Sequence, residues 1–134
     1  MFASADRQKV GNLGETLARE ELERRGYSIL ATRHRTRFGE IDIVADRPAP
    51  RMLRGARREL AFVEVKARKT AKYGSAAEAV TPRKRRRIAA MALDYLASTN
   101  RLDCPCQFVV VAIDGILTPR MTLRVIENAW TLDR

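Results

Sequence analysis

The chain is poor in several residue types, and each shortage removes a class of protein. Only two cysteines occur in 134 residues, Cys104 and Cys106, too few for a disulfide framework. The Cys104-Pro105-Cys106 segment also has no partner cysteines or histidines at zinc-ligand spacing. Both cysteines therefore read as small core or loop residues of a reduced, cytoplasmic protein. Histidine occurs once, as His34, and reads as a solvent-facing or backbone-contacting side chain rather than a general base. Aromatic residues make up 6% of the chain, which argues against a single-strand platform that stacks bases on exposed rings. No apolar run approaches the ~20 residues of a membrane helix, and the start, MFASADRQKV, lacks the basic-then-apolar order of a secretion signal. A phosphate-cradling glycine loop, a Ser/His/Asp set, an internal repeat and any low-complexity bias are all missing.

What the chain does have is positive charge. Lysine and arginine number 26 against 16 acids, a formal charge of +10. Such an excess opposes compaction and is easiest to understand if the partner is a polyanion, with nucleic acid first. Hydrophobic residues make up 46%, enough to fold, and the length favours one domain over residues 1–134.

Apolar spacing outlines the elements. Leu13, Leu17, Ala18 and Leu22 mark one face of a helix over residues 8–25, stopped by Gly26. Residues 27–30 read as a first strand, followed by a basic connector with Arg33, His34, Arg35 and Arg37. Residues 39–45 alternate as a strand, with Glu40 and Asp42 on one side and Ile41 and Ile43 on the other. Residues 46–59 hold Pro48, Pro50 and Gly55 among five arginines and read as a long basic hairpin connection. In the strand over 60–66, Phe62, Glu64 and Lys66 share one face and Val63 and Val65 the other. A loop over 67–79 leads to Thr81-Pro82, a helix start, and then to Ile88, Met91, Ala92, Tyr95 and Leu96 at helical spacing. Residues 107–113 form an apolar run suited to a strand covered on both faces. Asp114-Gly115 is a turn, residues 121–127 alternate as a last strand, and Trp130 packs back on the body. The order predicts an α/β fold: a mixed central sheet of about five strands flanked by helices.

Asp42, Glu64 and Lys66 form the constellation that could carry chemistry. If the strands holding them are neighbours, the two carboxylates converge. Two carboxylates, the Val65 carbonyl and water make a ligand set suited to Mg²⁺ or Mn²⁺. Such an ion activates water and stabilises charge on a scissile phosphate, and a lysine alongside orients the water or offsets that charge. A Glu-Val-Lys triplet in a half-exposed strand is also common, and its charges can simply face water. Acids at matching strand positions inside so basic a chain make the cation site the stronger reading, since acids facing a phosphate need a cation between them.

The residues Gly14-Glu15, Gly26-Tyr27 with Ile29-Leu30, Arg37-Phe38-Gly39-Glu40-Ile41-Asp42, Phe62-Val63-Glu64-Val65-Lys66, Tyr73-Gly74, Ala79-Val80-Thr81 and Lys84 resemble, in order, the uncharacterised bacterial YraN family. That family is similar to archaeal Holliday-junction resolvases and belongs to the restriction-endonuclease-like PD-(D/E)XK superfamily. The resemblance implies that fold, Asp42, Glu64 and Lys66 at the D, E and K positions, Glu15 as an auxiliary acid, and a homodimer. Glu40 matches the family's Gly-Glu-Ile-Asp without an assigned role. The chain departs from the family at Arg33, where many relatives have Asn, at Arg85, where they have Gln, and at Gln107-Phe108-Val109, where they have Arg-Phe-Asp. Its link between Asp42 and Glu64 is also longer.

Arg83-Lys84-Arg85-Arg86-Arg87 opens the second helix. Cations there oppose the helix dipole by about 0.3–1 kcal/mol each, whereas an arriving phosphate meets both free N–H groups and arginines. Arg83, Lys84, Arg86 and Arg87, with Arg35 and Arg37, are therefore the expected nucleic-acid contacts, Lys84 foremost; the plain alternative is a solubilising face. The arginines of the 46–59 segment could grip the backbone too. The leading expectation is a Mg²⁺- or Mn²⁺-dependent nuclease acting on structured or branched DNA. Its rivals are a non-catalytic nucleic-acid-binding protein of the same fold and an RNA-associated assembly protein.

Overall fold

The computed structural model describes residues 4–49, 58–70 and 75–130. The elements are helix α1 (Ser4–Arg24), strands β1 (Ser28–Thr36), β2 (Gly39–Pro48) and β3 (Arg58–Arg68), a 3₁₀ turn (Ala77–Ala79), helix α2 (Pro82–Ser98), and strands β4 (Cys106–Asp114) and β5 (Thr122–Ile126). The strands form one mixed sheet in the order β1-β2-β3-β4-β5. The β3–β4 pairing is parallel and the others are antiparallel. A parallel pair needs a long crossover, and α2 supplies it. The α/β expectation is met: a five-stranded mixed sheet flanked by two helices, consistent with the restriction-endonuclease-like arrangement.

The helices cover opposite faces. On one, Ala18 and Leu22 of α1 pack with Ile43, Ala45, Val63, Val109 and Val111. On the other, Ile88, Met91, Ala92, Tyr95 and Leu96 of α2, the five residues expected from spacing, are buried against Val44, Phe62 and Phe108. The apolar run of β4 is covered on both sides, and every residue from Gln107 to Ile113 is buried. Trp130 stacks on Phe108 with ring centroids 4.7 Å apart.

Local chemistry sets the ends. Gly26 adopts φ +93° and lets Tyr27 N–H return to the Leu22 carbonyl at 3.0 Å, which closes α1. Thr81 caps α2 through its hydroxyl, which accepts the Lys84 N–H at 3.3 Å, and Pro82 fills the first turn. Gly14 lets α1 approach β3, since a Cβ there would lie 3.1 Å from the Ala67 Cβ.

Four expectations need correction. The basic connector is strand: β1 runs on through Arg33, His34 and Arg35 to Thr36. It is an edge strand, where long charged side chains reach water and discourage edge-to-edge pairing. His34 is half-buried, edge-on to Tyr95 at 5.1 Å, rather than facing solvent. The 46–59 hairpin connection is shorter than expected, because Asp46, Arg47 and Pro48 pair with Leu60, Glu59 and Arg58. Those extra rungs are tied by Arg58 to Asp46 at 2.6 Å and Arg47 to Glu59 at 3.4 Å. Residues 50–57 of that connection, and Tyr73 and Gly74, lie outside the described residues.

The fourth correction concerns the phase of β2. Ile41 and Ile43 do not share a face. Ile41 packs on the α2 side with Val44, and Ile43 packs on the α1 side with Ala45. The partner strand slips at the same level. His34, paired with Ile41, and Ala31, paired with Val44, both face α2 although three residues separate them. Strict alternation would need an even number. Arg33 takes φ +51° within this slip, a conformation that costs a non-glycine residue about 1–2 kcal/mol.

Candidate metal and nucleic-acid site

The slip positions Asp42. Pairing of β2 with β3 stops at Ile43–Val63, so beyond that rung the two strands part and leave a notch. Asp42 stands in it and accepts a hydrogen bond from Val65 N–H through Oδ2 at 2.8 Å. In a strand, the N–H and carbonyl of one residue point to the same side. The Val65 carbonyl therefore faces the notch as well, while Glu64 and Lys66 turn their backbones toward β4. The structure thus brings together the three groups expected to hold a metal: Asp42, Glu64 and the Val65 carbonyl.

Glu64 is the charged neighbour that acts most strongly on Asp42. Burial and the nearby Glu64 charge push the Asp42 carboxyl up to about 7, against the opposing effects of Val65 N–H and Lys84. A neighbouring negative charge makes a carboxyl hold its proton more tightly unless a cation offsets it. Glu64 is buried, at 6% exposure. Its other partner is Lys84, whose Nζ lies 2.7 Å from Glu64 Oε1. Lys66 borders the same groove, and its ammonium is lowered by burial and by Lys84 and Arg68, with Glu64 and Asp42 acting the other way.

The donor set fits Mg²⁺ or Mn²⁺. Among the described residues no group of three acids, histidines or cysteines assembles. Mg²⁺ is usually held by one or two carboxylates, with water and substrate phosphate completing its octahedron. A carboxylate pair, one carbonyl and an open groove meet that requirement.

The groove runs along α1 and is bordered by Gln8, Asn12 and Glu15 of α1, Arg33 and Arg35 of β1, Glu40 and Asp42 of β2, and the end of β3 from Val65 to Thr70. Glu15 is in it but held: its Oε2 accepts from Arg33 Nε at 2.9 Å, and Arg33 Nη2 donates to Asn12 Oδ1 at 2.6 Å. Arg33 thus orients the acid expected to be auxiliary. Glu40 pairs with the exposed Arg35 at 3.8 Å.

The basic residues divide into two groups. Lys84 is committed to Glu64, not standing free on the surface as expected. Arg85 donates to the Val80 carbonyl at 3.2 Å and lies over the Trp130 ring at 5.5 Å. Arg83, Arg86 and Arg87 are exposed on the opening turns of α2. The β1–β2 turn comes close to them: a Cβ on Gly39 would lie 3.8 Å from Arg87 Cδ, and Arg37 covers the Phe38 ring at 4.8 Å. Sequence reasoning missed two contacts, Lys84 with Glu64 and Arg33 with Glu15. The first had a signal, since a cation in a helix's first turn invites a search for an acid opposite it. The second had none.

Gln107, another departure, is far from this chemistry in role. Its buried amide donates to Tyr27 Oη and Glu59 Oε1, both at 3.0 Å, and accepts Asn128 N–H at 3.0 Å. It ties the α1–β1 link, the hairpin and the C-terminal segment together.

Comparison with known proteins follows the same outline. Residues 14–113 match the model of the uncharacterised protein family UPF0102. A UPF0102 protein of Symbiobacterium thermophilum is 40% identical over 123 residues, covering 92% of this chain and 97% of its own. One from Pelobacter propionicus is 38% identical over 133 residues, 97% of this chain and 88% of its own. One from Ralstonia pickettii is 41% identical over 109 residues, 79% of this chain and 81% of its own.

Proposed function

Because this chain belongs to the uncharacterised protein family UPF0102, whose name assigns no chemistry, we propose its function from the site: a Mg²⁺- or Mn²⁺-dependent nuclease that hydrolyses phosphodiesters in structured or branched DNA. The observation that carries this reading is Asp42 in the β2–β3 notch, held by the Val65 N–H, with the Glu64 charge acting on it and Lys66 bordering the same groove.

In the proposed reaction, water oxygen bonds to phosphorus and the bond from phosphorus to the departing sugar oxygen breaks. The water loses a proton and the leaving oxygen gains one. A bound divalent ion supplies an acidified water and charge stabilisation at the phosphate. Asp42, Glu64 and the Val65 carbonyl hold that ion. Lys66 donates to a phosphate oxygen where negative charge grows. Glu15, oriented by Arg33, accepts from water at the groove wall. Arg83, Arg86 and Arg87, with Arg35 and Arg37, hold the sugar-phosphate backbone, which positions DNA without reading its sequence. A homodimer would present two such sites to a branched substrate.

One observation favours a second reading. The Lys84 ammonium already neutralises Glu64, as a resident counter-ion would in a protein that binds nucleic acid without cutting it. A single assay separates the two. Labelled four-way junction, duplex and single strand are incubated with Mg²⁺, Mn²⁺ or EDTA, using wild type, Asp42→Asn and Lys66→Ala. The nuclease reading expects metal-dependent cutting, strongest on the junction and at least ~100-fold weaker in both variants. Tight binding without cutting under any metal, unchanged by Asp42→Asn, would leave the binding protein.

A further inference from the structure

Lys84 sits in the first turn of α2, where the helix dipole disfavours a cation. It stays there against Glu64, at 2.7 Å. The two partners differ in surroundings: the Glu64 side chain is 8% exposed and that of Lys84 is 35% exposed. The lysine therefore reaches in from solvent, and its long flexible stem can return there without disturbing the core. A divalent ion on Glu64 would draw on the same carboxylate and repel the ammonium beside it. The neighbours of a withdrawn Lys84 are Arg83, Arg86 and Arg87, the exposed cations of the same helix end.

We propose that Lys84 exchanges between Glu64 and a DNA phosphate, and so couples metal binding to DNA binding. The inference rests on the metal site of the nuclease reading and adds to it a rule for how that site fills. Without metal, Lys84 and Lys66 are the cations that act on the two acids, Lys84 in direct contact with Glu64. With a divalent ion on Asp42 and Glu64, the site becomes a concentrated positive centre and Lys84 is released to the phosphate. Such coupling is reciprocal: DNA that holds Lys84 exposes Glu64 to metal, and each ligand tightens the other by the same factor. Metal and substrate then arrive together, and the metal-free protein holds DNA more loosely.

The test uses the full chain and two neutral variants, Lys84→Met and Lys84→Gln, with Tm measured for each so that a poorly folded one is set aside. Mn²⁺ affinity without DNA is read by titration with electron paramagnetic resonance. Four-way-junction affinity is read across a salt series in Ca²⁺ and in EDTA. Removing the competing ammonium should tighten Mn²⁺ about tenfold, between the effect of an exposed and of a buried charge pair. Ca²⁺ should steepen the wild-type salt dependence by about one phosphate contact more than it does in either variant. Unchanged or weaker Mn²⁺ binding in both variants would overturn the exchange, with Lys84 then a fixed support for Glu64, and would leave the nuclease reading standing. If neither wild type nor variants bind Mn²⁺, the metal site itself fails and the exchange falls with it.

Discussion

At the scale of single residues, the account turns on Asp42. Its raised carboxyl, at about 7, arises from burial first and the Glu64 charge second. Between its ordinary value and about 7, the folded protein therefore holds a proton that the unfolded chain has released. Metal-free stability then falls as pH rises through that window and levels off above it. Thermal melts of wild type from pH 4.5 to 8 in EDTA should show this decline, and Asp42→Asn should flatten it. Metal must displace the same proton, so Mn²⁺ affinity should weaken as pH drops below about 7. Calorimetry at pH 6.5 in buffers of different ionisation heat should register proton release on binding. Sequence made Asp42, Glu64 and Lys66 legible as residue types at matching strand positions. It could not show that Asp42 reaches the notch because alternation slips on two paired strands at once, since that slip depends on the Arg33 backbone at φ +51°.

At the scale of elements, the site depends on how closely α1 and α2 seat on the sheet. Gly14 touches Ala67 at the end of β3, the strand that carries Glu64 and Lys66. Gly14→Leu should push α1 off and lower stability by about 1–3 kcal/mol, as overpacking does, with a lower denaturation midpoint as the readout. Thr81→Ala should cost about 1 kcal/mol through the lost cap and loosen the turn that carries Lys84. Phe62→Ala, deep in the α2-side core, should cost about 3–5 kcal/mol. The helices were the clearest elements in the sequence: 3.6-residue spacing named every buried residue of α2, and Gly26 and Thr81-Pro82 marked the ends. The edge strand β1 was the least clear. Its arginines resemble a connector because nothing local distinguishes a charged loop from a charged edge, and only pairing with β2 decides.

At the scale of the whole molecule, a charge of +10 sits on a fold in which several acids, Glu15, Glu21, Asp46 and Glu64 among them, are already held by internal ion pairs. The proposed DNA contacts are Arg35 at the groove, Arg37 on the β1–β2 turn, and Arg83, Arg86 and Arg87 on the opening turns of α2. If these and Lys84 take up about five phosphates, junction affinity should fall by roughly five-hundredfold as salt rises from about 50 to about 200 mM. Arg86→Ala with Arg87→Ala should flatten that slope by about two contacts without moving Tm. No helix among the described residues is long and apolar enough to cross a membrane. The family model and the relatives of matching length place the chain in one family and name no reaction.

The most direct measurement of the central claim is a crystal grown or soaked with Mn²⁺ and examined by its anomalous scattering. The account predicts one ion in the β2–β3 notch, about 2.1–2.2 Å from carboxylate oxygens of Asp42 and Glu64 and from the Val65 carbonyl, with Lys84 moved off Glu64. A notch without an ion, with Lys84 still on Glu64, would contradict it.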